Sequence, residues 1–542
     1  MLKVKFTSSL EKPFADEKIE NYPELKSLSA LRGEVVSFQL LYSYEMEEND
    51  RAFWTFEYTL SGDLAPLATV RAVRSIGVQK PIGVKYCDNY LRTTPGLYPD
   101  VLVPTLTENR FCSSNGILNS LWIDVTIPSD SSFAPGDHAL TLTLKKQADG
   151  TEVFSDSFTV NVVDCVIESE KTLYTQWISP GHLSTHYGIE PWSKKHWEII
   201  EAFVAAARKN GMNVLFSDIF RNLVEITKTQ HGYRFNFKKF DKWLAMANKY
   251  GYSYIEIPHL FTPGSVSYAE KVIYIEAGEK KSTSGMKATD PEYIALIRAT
   301  LKALIAHMKK VDDDKRLLFH IADEPSLKFI DNFRAARDCV IDIIGDYQII
   351  DAIFDIEFWR EGLVTAPVPI TDHIDPFLEE NVPNLWTYYC TGPQSNYSNR
   401  FIAQSGACTR SLGMQLYKYN IVGFLHWALF NIQAYSGGLV DPYLDLSGDN
   451  WVPAGDTLSL YPAPNGTPYE SMRIAILRDS FQDIRAMQTA EHFYSHADIV
   501  AAIEEELGTT LLFSTCAKSS EVMLRIRERV NSMIKEAVSK SI

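Results

Sequence analysis

Residues 316–325 read Arg-Leu-Leu-Phe-His-Ile-Ala-Asp-Glu-Pro. An apolar run interrupted only by His320 leads into two adjacent carboxylic acids, and Pro325 then removes a backbone donor and stops the run. A short apolar run with turn chemistry behind it predicts a buried strand, spanning Arg316–Ala322. On both sides the same grammar repeats. Strands are predicted at Leu173–Ile178, Asn213–Ser217, Tyr254–Pro258, Gln348–Phe354, Val368–Asp372, Leu385–Cys390 and Val422–Leu429. Helical spacing falls between them, at Trp192–Lys209, Phe240–Tyr250, Asp290–Lys310, Ser326–Ile344, Asn399–Leu412 and Glu470–Thr489. Asn210-Gly211 and Gly251 end two of these helices, and Asp290-Pro291-Glu292 opens a third. Eight strands alternating with helices predict an α/β protein with a (β/α)8 TIM-type barrel at residues 169–490. A doubly wound open sheet is the competing architecture, but no glycine-rich phosphate loop follows any strand.

Residues 1–168 read differently. Short β-rich runs at Glu34–Tyr42, Phe53–Leu60, Ala68–Ile76, Ser120–Ile127, His138–Leu144 and Ser155–Val163 are divided by turn signals such as Ser61-Gly62-Asp63 and Pro135-Gly136-Asp137. This spacing predicts an antiparallel β-sandwich before the barrel. Residues 491–542 carry Val522, Leu524, Ile526, Val530, Met533, Ile534 and Val538 at helical spacing, which predicts a C-terminal helical extension packed on the barrel.

Composition narrows the function. The 542 residues carry a net charge of −15, which argues against a nucleic-acid partner and against docking on an anionic membrane. No apolar run approaches the ~20 residues of a membrane span. The start, MLKVKFTSSLEKPFADEK, lacks the apolar stretch of a secretory signal, so the expected location is the cytoplasm, a removed export signal being the alternative. The seven cysteines are scattered without a CxxC pair and read as reduced thiols, with neither a zinc site nor a cofactor implied. An oligomer built through the helical tail or the sandwich is compatible with the sequence.

Chemistry in such a barrel sits on the loops beyond the C-terminal strand ends. The predicted ends carry Trp177 and His182, Asp218, His259, His320 with Asp323 and Glu324, Trp386 with Tyr388 and Tyr389, and His426 with Trp427. Asp323 and Glu324 are the candidate catalytic pair. The bland alternative is that they open the following helix and meet its dipole. Adjacent carboxyls at a partly buried strand end cannot both ionise cheaply, so one pKa is expected to rise. That divides acid from base, as glycoside cleavage requires. Opposed carboxyls ~5 Å apart, as in the usual retaining pair, suit sequence neighbours poorly. Substrate assistance suits them better: one acid orients a sugar's 2-acetamido group and the other protonates the leaving oxygen. Aromatic side chains fit the same substrate, because sugar faces are apolar, and alternation puts Trp386 and Tyr388 on one strand face.

The Asp323-Glu324-Pro325 strand end, Gly423-Phe424-Leu425-His426-Trp427, Tyr461-Pro462 and the stretch Ser471–Asp483 together resemble glycoside hydrolase family 123 and its wider relatives, the domain-of-unknown-function family 4091. The stretch around Leu477-Arg478-Asp479 is the most specific part. The resemblance implies an exo-acting β-N-acetylgalactosaminidase acting on a glycan or oligosaccharide with a terminal N-acetylhexosamine. Asp323 would orient the acetamide, Glu324 would serve as general acid/base, and Tyr388 or Tyr389 would hydrogen-bond the acetamide oxygen. Trp177, His182, Asp218, His259, His320, Trp386 and Trp427 would complete the substrate site. Arg473 and Arg478 would fix the last barrel helix. Ser480 and Ile484-Arg485 depart from the family's usual glycine and acidic-tyrosine pair and mark a divergent branch.

Three rival functions remain at this stage. His182, Asp218, His259 and His320 could converge as ligands of a hydrolytic metal. A non-catalytic carbohydrate-binding protein could share the fold. A retaining glycosidase could use a separate nucleophile, Asp355 or Asp441, on sugars without an acetamido group.

Overall fold

The computed structural model describes residues 1–48, 50–85, 87, 89–105, 109–311 and 313–540. The protein is mixed α/β. The eight predicted strands are present at Leu173–Ile178, Val214–Phe216, Tyr254–Glu256, Leu317–Phe319, Gln348–Ile353, Ala366–Pro369, Trp386–Tyr388 and Gly423–Phe430. They lie in two parallel sheets, one ordered first–eighth–seventh and the other second through sixth in sequence order. Ile370 forms a parallel bridge to Tyr388 between the sixth and seventh strands. On the opposite side, Asn213 N donates to Tyr174 O at 3.1 Å between the second and first. The strands are apolar on both faces because both faces are covered. Leu318, Ile350, Val368, Tyr388 and Leu425 form one inner cluster. Their neighbours Leu317, Phe319, Ile349 and Ile353 face the helices instead.

The helices follow from their caps. Ser193 accepts from His196 N to start Lys194–Lys209. Asp290 caps Pro291–Lys309, with proline in the first turn where its missing N–H costs nothing. The predicted helix at Ser326–Ile344 is broken into Leu327–Phe329, Ile330–Asp338 and Ile341–Ile344. The one predicted at Asn399–Leu412 starts later, as Gly406–Arg410 and Leu412–Lys418. A four-stranded sheet of Glu225–Thr229, Gly232–Asn236, Ile273–Glu276 and Glu279–Ser282 was not expected. Its strands are short and rich in charge, and only Ile226 and Tyr274 are buried, with Tyr233 and Phe235 packed against the same core, so the apolar alternation is brief and easily missed. Its two hairpins turn at Gly232 and Gly278, both in positive φ.

At the N-terminal end, two sheets of seven and five strands share one core, with Phe38 stacked on Phe158 at 3.7 Å between ring centroids. Two features differ from an all-antiparallel sandwich. Ser27–Arg32 pairs in parallel with Glu152–Val166. The seven-stranded sheet is completed by Tyr469–Ser471 and Leu460–Tyr461, from the far end of the chain.

Helix Met472–Ala490 lies across this junction and is buried on nearly every side. Most of its charges are therefore paired, and Arg485 donates to the Glu168 carbonyl at 2.6 Å. Arg473 Nη2 meets Asp100 Oδ2 at 2.9 Å, and Arg473 Nη1 donates to Leu458 O at 2.8 Å. Arg478 reaches Ser37 Oγ at 2.6 Å and Asp124 at 3.2 Å. Asp483 receives Arg410 at 2.7 Å and Arg527 at 3.0 Å. Gly413 admits the helix closely, since a Cβ there would fall 2.1 Å from Ser480 O. The last helix, Ser520–Lys540, packs against this helix but also clamps the N-terminal sheets: Ser29 N donates to Glu528 at 2.8 Å and Arg527 pairs with Glu34 at 2.6 Å. Packing on the barrel alone was thus too narrow an expectation for the tail.

A buried pair adds little net stability, but breaking one strands a charge in a medium that cannot solvate it. Arg473→Ala is expected to cost ~3–5 kcal/mol in a denaturant titration, because Asp100 is left uncompensated. A cost below ~1 kcal/mol would contradict this role.

Candidate active site

Asp323 and Glu324 leave the fourth strand on diverging paths. Glu324 adopts φ +42°, a left-handed conformation that costs a non-glycine residue ~1–2 kcal/mol. Backbone hydrogen bonds hold the turn: Glu324 N to Ala352 O at 3.0 Å, Gly264 N to Asp323 O at 3.1 Å and Ser326 N to Gly264 O at 2.9 Å. Neither acid caps the next helical turn, whose N-cap, Ser326, makes no side-chain capping bond. The helix-start reading of the pair therefore fails.

Each carboxyl has its own surroundings. Asp323 Oδ1 lies 3.8 Å from His259 Nε2, and its side chain keeps 37% of its surface open. Glu324 Oε1 accepts a short hydrogen bond from the Tyr388 hydroxyl. Beneath them His320 is enclosed completely. Its Nε2 meets Glu256 Oε1 at 2.9 Å and its Nδ1 lies 3.8 Å from Asp351 Oδ1. Glu256 also accepts from Thr175 Oγ1 at 2.5 Å and Trp177 Nε1 at 2.7 Å. Asp351 Oδ1 accepts from Ile321 N at 2.8 Å. Strand geometry explains the convergence: Leu318 points into the inner cluster, so His320, two residues on, points the same way.

Electrostatics divides the groups. Burial pulls the His320 pKa down, but the Glu256 hydrogen bond and the charges of Glu256, Asp351 and Asp323 outweigh it and raise it. Burial, and then the cationic His320 and Arg221, hold His259 well below its ordinary value, so His259 is neutral. Burial, followed by the Glu324 charge, pushes Asp323 up to about 7 against the pull of His320. Burial likewise raises Asp351 to about 7, opposed by His320 and two backbone N–H groups. The buried polar atoms His259 Nε2, His320 Nδ1 and Asp351 Oδ2 have no hydrogen-bond partner. Unmet donors and acceptors are costly to bury, and three of them clustered beneath one acid pair mark a candidate functional site.

The structure brings together Trp177, His259, His320, Asp323, Glu324 and Tyr388. Five other expected residues have different surroundings. Asp218 caps its own turn, accepting from Arg221 N at 3.2 Å and Asn222 Nδ2 at 2.7 Å. His182 Nδ1 faces Ile432 N at 3.4 Å. Trp386 is fully buried, its ring packed over Gly423, and cannot stack on a sugar. Tyr389 is also fully buried, on the outer side of the strand beside Phe424 and His426. Alternation therefore decides between the tyrosines in favour of Tyr388. Trp427 is partly open, with Nε1 bound to Asp456 Oδ2 at 2.8 Å. The rival nucleophile Asp441 is exposed and bonded to Tyr443 N in its own loop. Among the described residues, no group of three or more His, Cys, Asp or Glu is arranged to hold a metal ion.

Glu256 and Asp351 were missed from the sequence. The signal was present: each is a lone acid inside an apolar strand, Tyr254–Glu256 and Gln348–Ile353. A buried strand tolerates a carboxyl only where something satisfies it.

Asp323 ionises near ~4 when unfolded but near about 7 in the fold. Between those values folding takes up a proton, so stability falls as pH rises through the window. Asp323→Asn fixes the neutral form. The variant is expected to be more stable than wild type, by a margin larger at about pH 8 than at about pH 5. A margin that does not change with pH would contradict the raised pKa.

The sequence matches the glycoside hydrolase 123 catalytic domain over residues 177–490, more than half of the chain. No curated protein matches it. Among solved structures, a family 123 glycoside hydrolase from Clostridium perfringens, described for glycolipid glycan hydrolysis, aligns with a TM-score of 0.76 at 13% identity, covering 100% of this chain and 98% of that one. A putative β-galactosidase from Bacteroides fragilis aligns only loosely, with a TM-score of 0.31 at 10% identity over 84% of this chain and 59% of its own. The family match over the region that carries Asp323, Glu324 and Tyr388 establishes that the chain belongs to glycoside hydrolase family 123, and that it is a glycosidase acting on a glycan.

Proposed function

We propose that the protein releases a terminal β-linked N-acetylgalactosamine from a glycan by retaining, substrate-assisted catalysis. The observation that carries this reading is the divergence of two adjacent acids at one strand end, Asp323 toward neutral His259 and Glu324 toward Tyr388. N-acetylgalactosamine is the sugar that the family resemblance implies. The same reading takes the eight parallel strands as a closed (β/α)8 barrel with the acids at its mouth. The Ile370–Tyr388 bridge and the Asn213–Tyr174 hydrogen bond, which join the two sheets on both sides, support that closure.

In the first step the acetamide oxygen attacks the anomeric carbon as the glycosidic bond breaks, and Glu324 gives its proton to the departing oxygen. Asp323 accepts the acetamide N–H and strengthens the oxygen as a nucleophile. The step requires one proton on the pair, held by Glu324 when the sugar is bound. In the resting site burial and Glu324 raise Asp323. An acetamide N–H donated to Asp323 favours its charged form and leaves the proton on Glu324. Tyr388 donates to Glu324 in the resting site and would turn its hydroxyl to the acetamide oxygen once the sugar binds; its hydrogen bond at the acid pair supports that reading. In the second step Glu324 takes a proton from water as the water opens the cyclised intermediate, and the configuration is retained.

Glu324→Gln is expected to lower kcat/KM on natural glycosides by ~10²–10⁴-fold, and much less on nitrophenyl glycosides, which need no acid to leave. Asp323→Asn should damage both classes, because acetamide attack precedes either departure. Equal and mild losses from the two substitutions would refute these roles. A thiazoline analogue of the N-acetyl sugar should inhibit far below substrate KM, since it mimics the cyclised intermediate. Absence of inhibition at millimolar concentration would count against substrate assistance.

A further inference from the structure

Beyond the eighth strand the chain makes a long excursion, residues 431–459, before it rejoins the N-terminal sheet. This segment presents aromatic rings to solvent where a loop of ordinary composition would not. Tyr435 is 76% exposed and Trp451 is 44% exposed. Their rings lie 6.2 Å apart with planes 32° from parallel. Trp451 in turn meets Trp427 edge-on at 5.7 Å. Trp427 stands beside the site through Asp456: its Nε1 binds Asp456 Oδ2 at 2.8 Å, and the Asp456 and Glu324 carboxylates both act on the Cys390 thiol, two residues beyond Tyr388 of the seventh strand. The three rings therefore form a strip running outward from the mouth.

The strip is held in place. Tyr435 N donates to Gly448 O at 3.0 Å and Val452 N to Ser447 O at 3.0 Å. Lys80, from the N-terminal region, straps the tip, with Nζ at 2.7 Å from Asn450 O and its carbonyl accepting from Ala454 N at 2.9 Å. Asp456 fixes the inner ring through Trp427 Nε1 at 2.8 Å. Rings that are pre-ordered and still exposed lose little entropy when a flat apolar ligand covers them.

Its side of the mouth decides what covers it. Asp323 faces His259, on the third-strand side. Glu324 faces Tyr388, on the seventh strand, which pairs with the eighth strand that carries Trp427. The strip thus lies on the side of the acid, and a general acid stands beside the group it protonates. We propose that Trp451 and Tyr435 form a leaving-group subsite that stacks the apolar face of the pyranose attached to the released sugar, with Trp427 as its inner wall. The proposal rests on the glycosidase reading of the site above. It makes the protein selective for glycans whose penultimate unit is a sugar ring rather than a small alcohol.

The test compares two substrates of one N-acetylgalactosaminyl donor: a trisaccharide and the glycosyl fluoride, whose leaving group is a single atom and cannot reach the strip. Trp451→Ala and Tyr435→Ala are each expected to lower kcat/KM on the trisaccharide by about tenfold more than on the fluoride. Trp451→Phe, which keeps a stacking face, should recover most of the loss. Equal losses on both substrates, or none on the trisaccharide, would overturn the subsite while leaving the glycosidase reading intact. A wild-type protein inert toward both substrates would overturn that reading and the subsite with it.

Discussion

A helix buried on nearly every face cannot carry unpaired charge, and Met472–Ala490 carries several. The pairing of Arg473 with Asp100 is the constraint from which much else follows. It joins the N-terminal sheet to the strand region through one guanidinium. Arg473 also donates to the carbonyls of Gly455 and Leu458, and so anchors the end of the excursion after the eighth strand. The residue between them, Asp456, holds His426 at 3.1 Å and Trp427 at 2.8 Å, while its own carbonyl receives the buried Arg400. The position of a rim aromatic is thus tied, bond by bond, to a strand of the N-terminal sheet. The two halves of the chain form one mechanical unit, and the N-terminal sheets shape the site without contributing an acid to it.

The site is built on a second buried charge problem. His320 has no water, so it borrows carboxylates, Glu256 directly and Asp351 at longer range. The charge this favours on His320 sits below Asp323, and it adds to the burial that holds His259 well below its ordinary value. Asp323 is then pulled two ways. Burial and Glu324 favour its proton, and His320 disfavours it. A carboxyl balanced in this manner changes state with whatever hydrogen bond a ligand offers, which suits the acetamide-holding role proposed for it. The left-handed backbone at Glu324 is the local cost of turning two adjacent acids apart.

Much of this was legible in the sequence where one physical effect dominated. The parallel strands are apolar because they are covered on both faces, and all eight were found, with ends that differ by up to three residues. The acid pair stood out because charge at the end of an apolar run is expensive. Legibility failed where tertiary contact overrode local pattern. The hairpins within residues 225–282 are short and rich in charge, and their core face is only Ile226 and Tyr274 with Tyr233 and Phe235 beside them, too little to announce a sheet. Trp386 and Tyr388 share a strand face as expected, but Trp386 lies a layer deeper, over Gly423, so one is core and the other meets Glu324. Glu256 and Asp351 read as parts of strands and proved to be the floor of the site. The parallel edge strand Ser27–Arg32 and the two strands donated from residues 460–471 depend on long-range pairing that no local signal encodes.

The central claim is that the sugar supplies its own nucleophile at the Asp323–Glu324 pair. The most direct measurement is nitrophenol release from matched β-N-acetylgalactosaminide and β-galactoside substrates, which differ only at the 2-position. Turnover of the acetamido sugar with no detectable turnover of the galactoside is the predicted result. Comparable cleavage of the galactoside would show that no acetamide is needed, and would place the nucleophile in the protein.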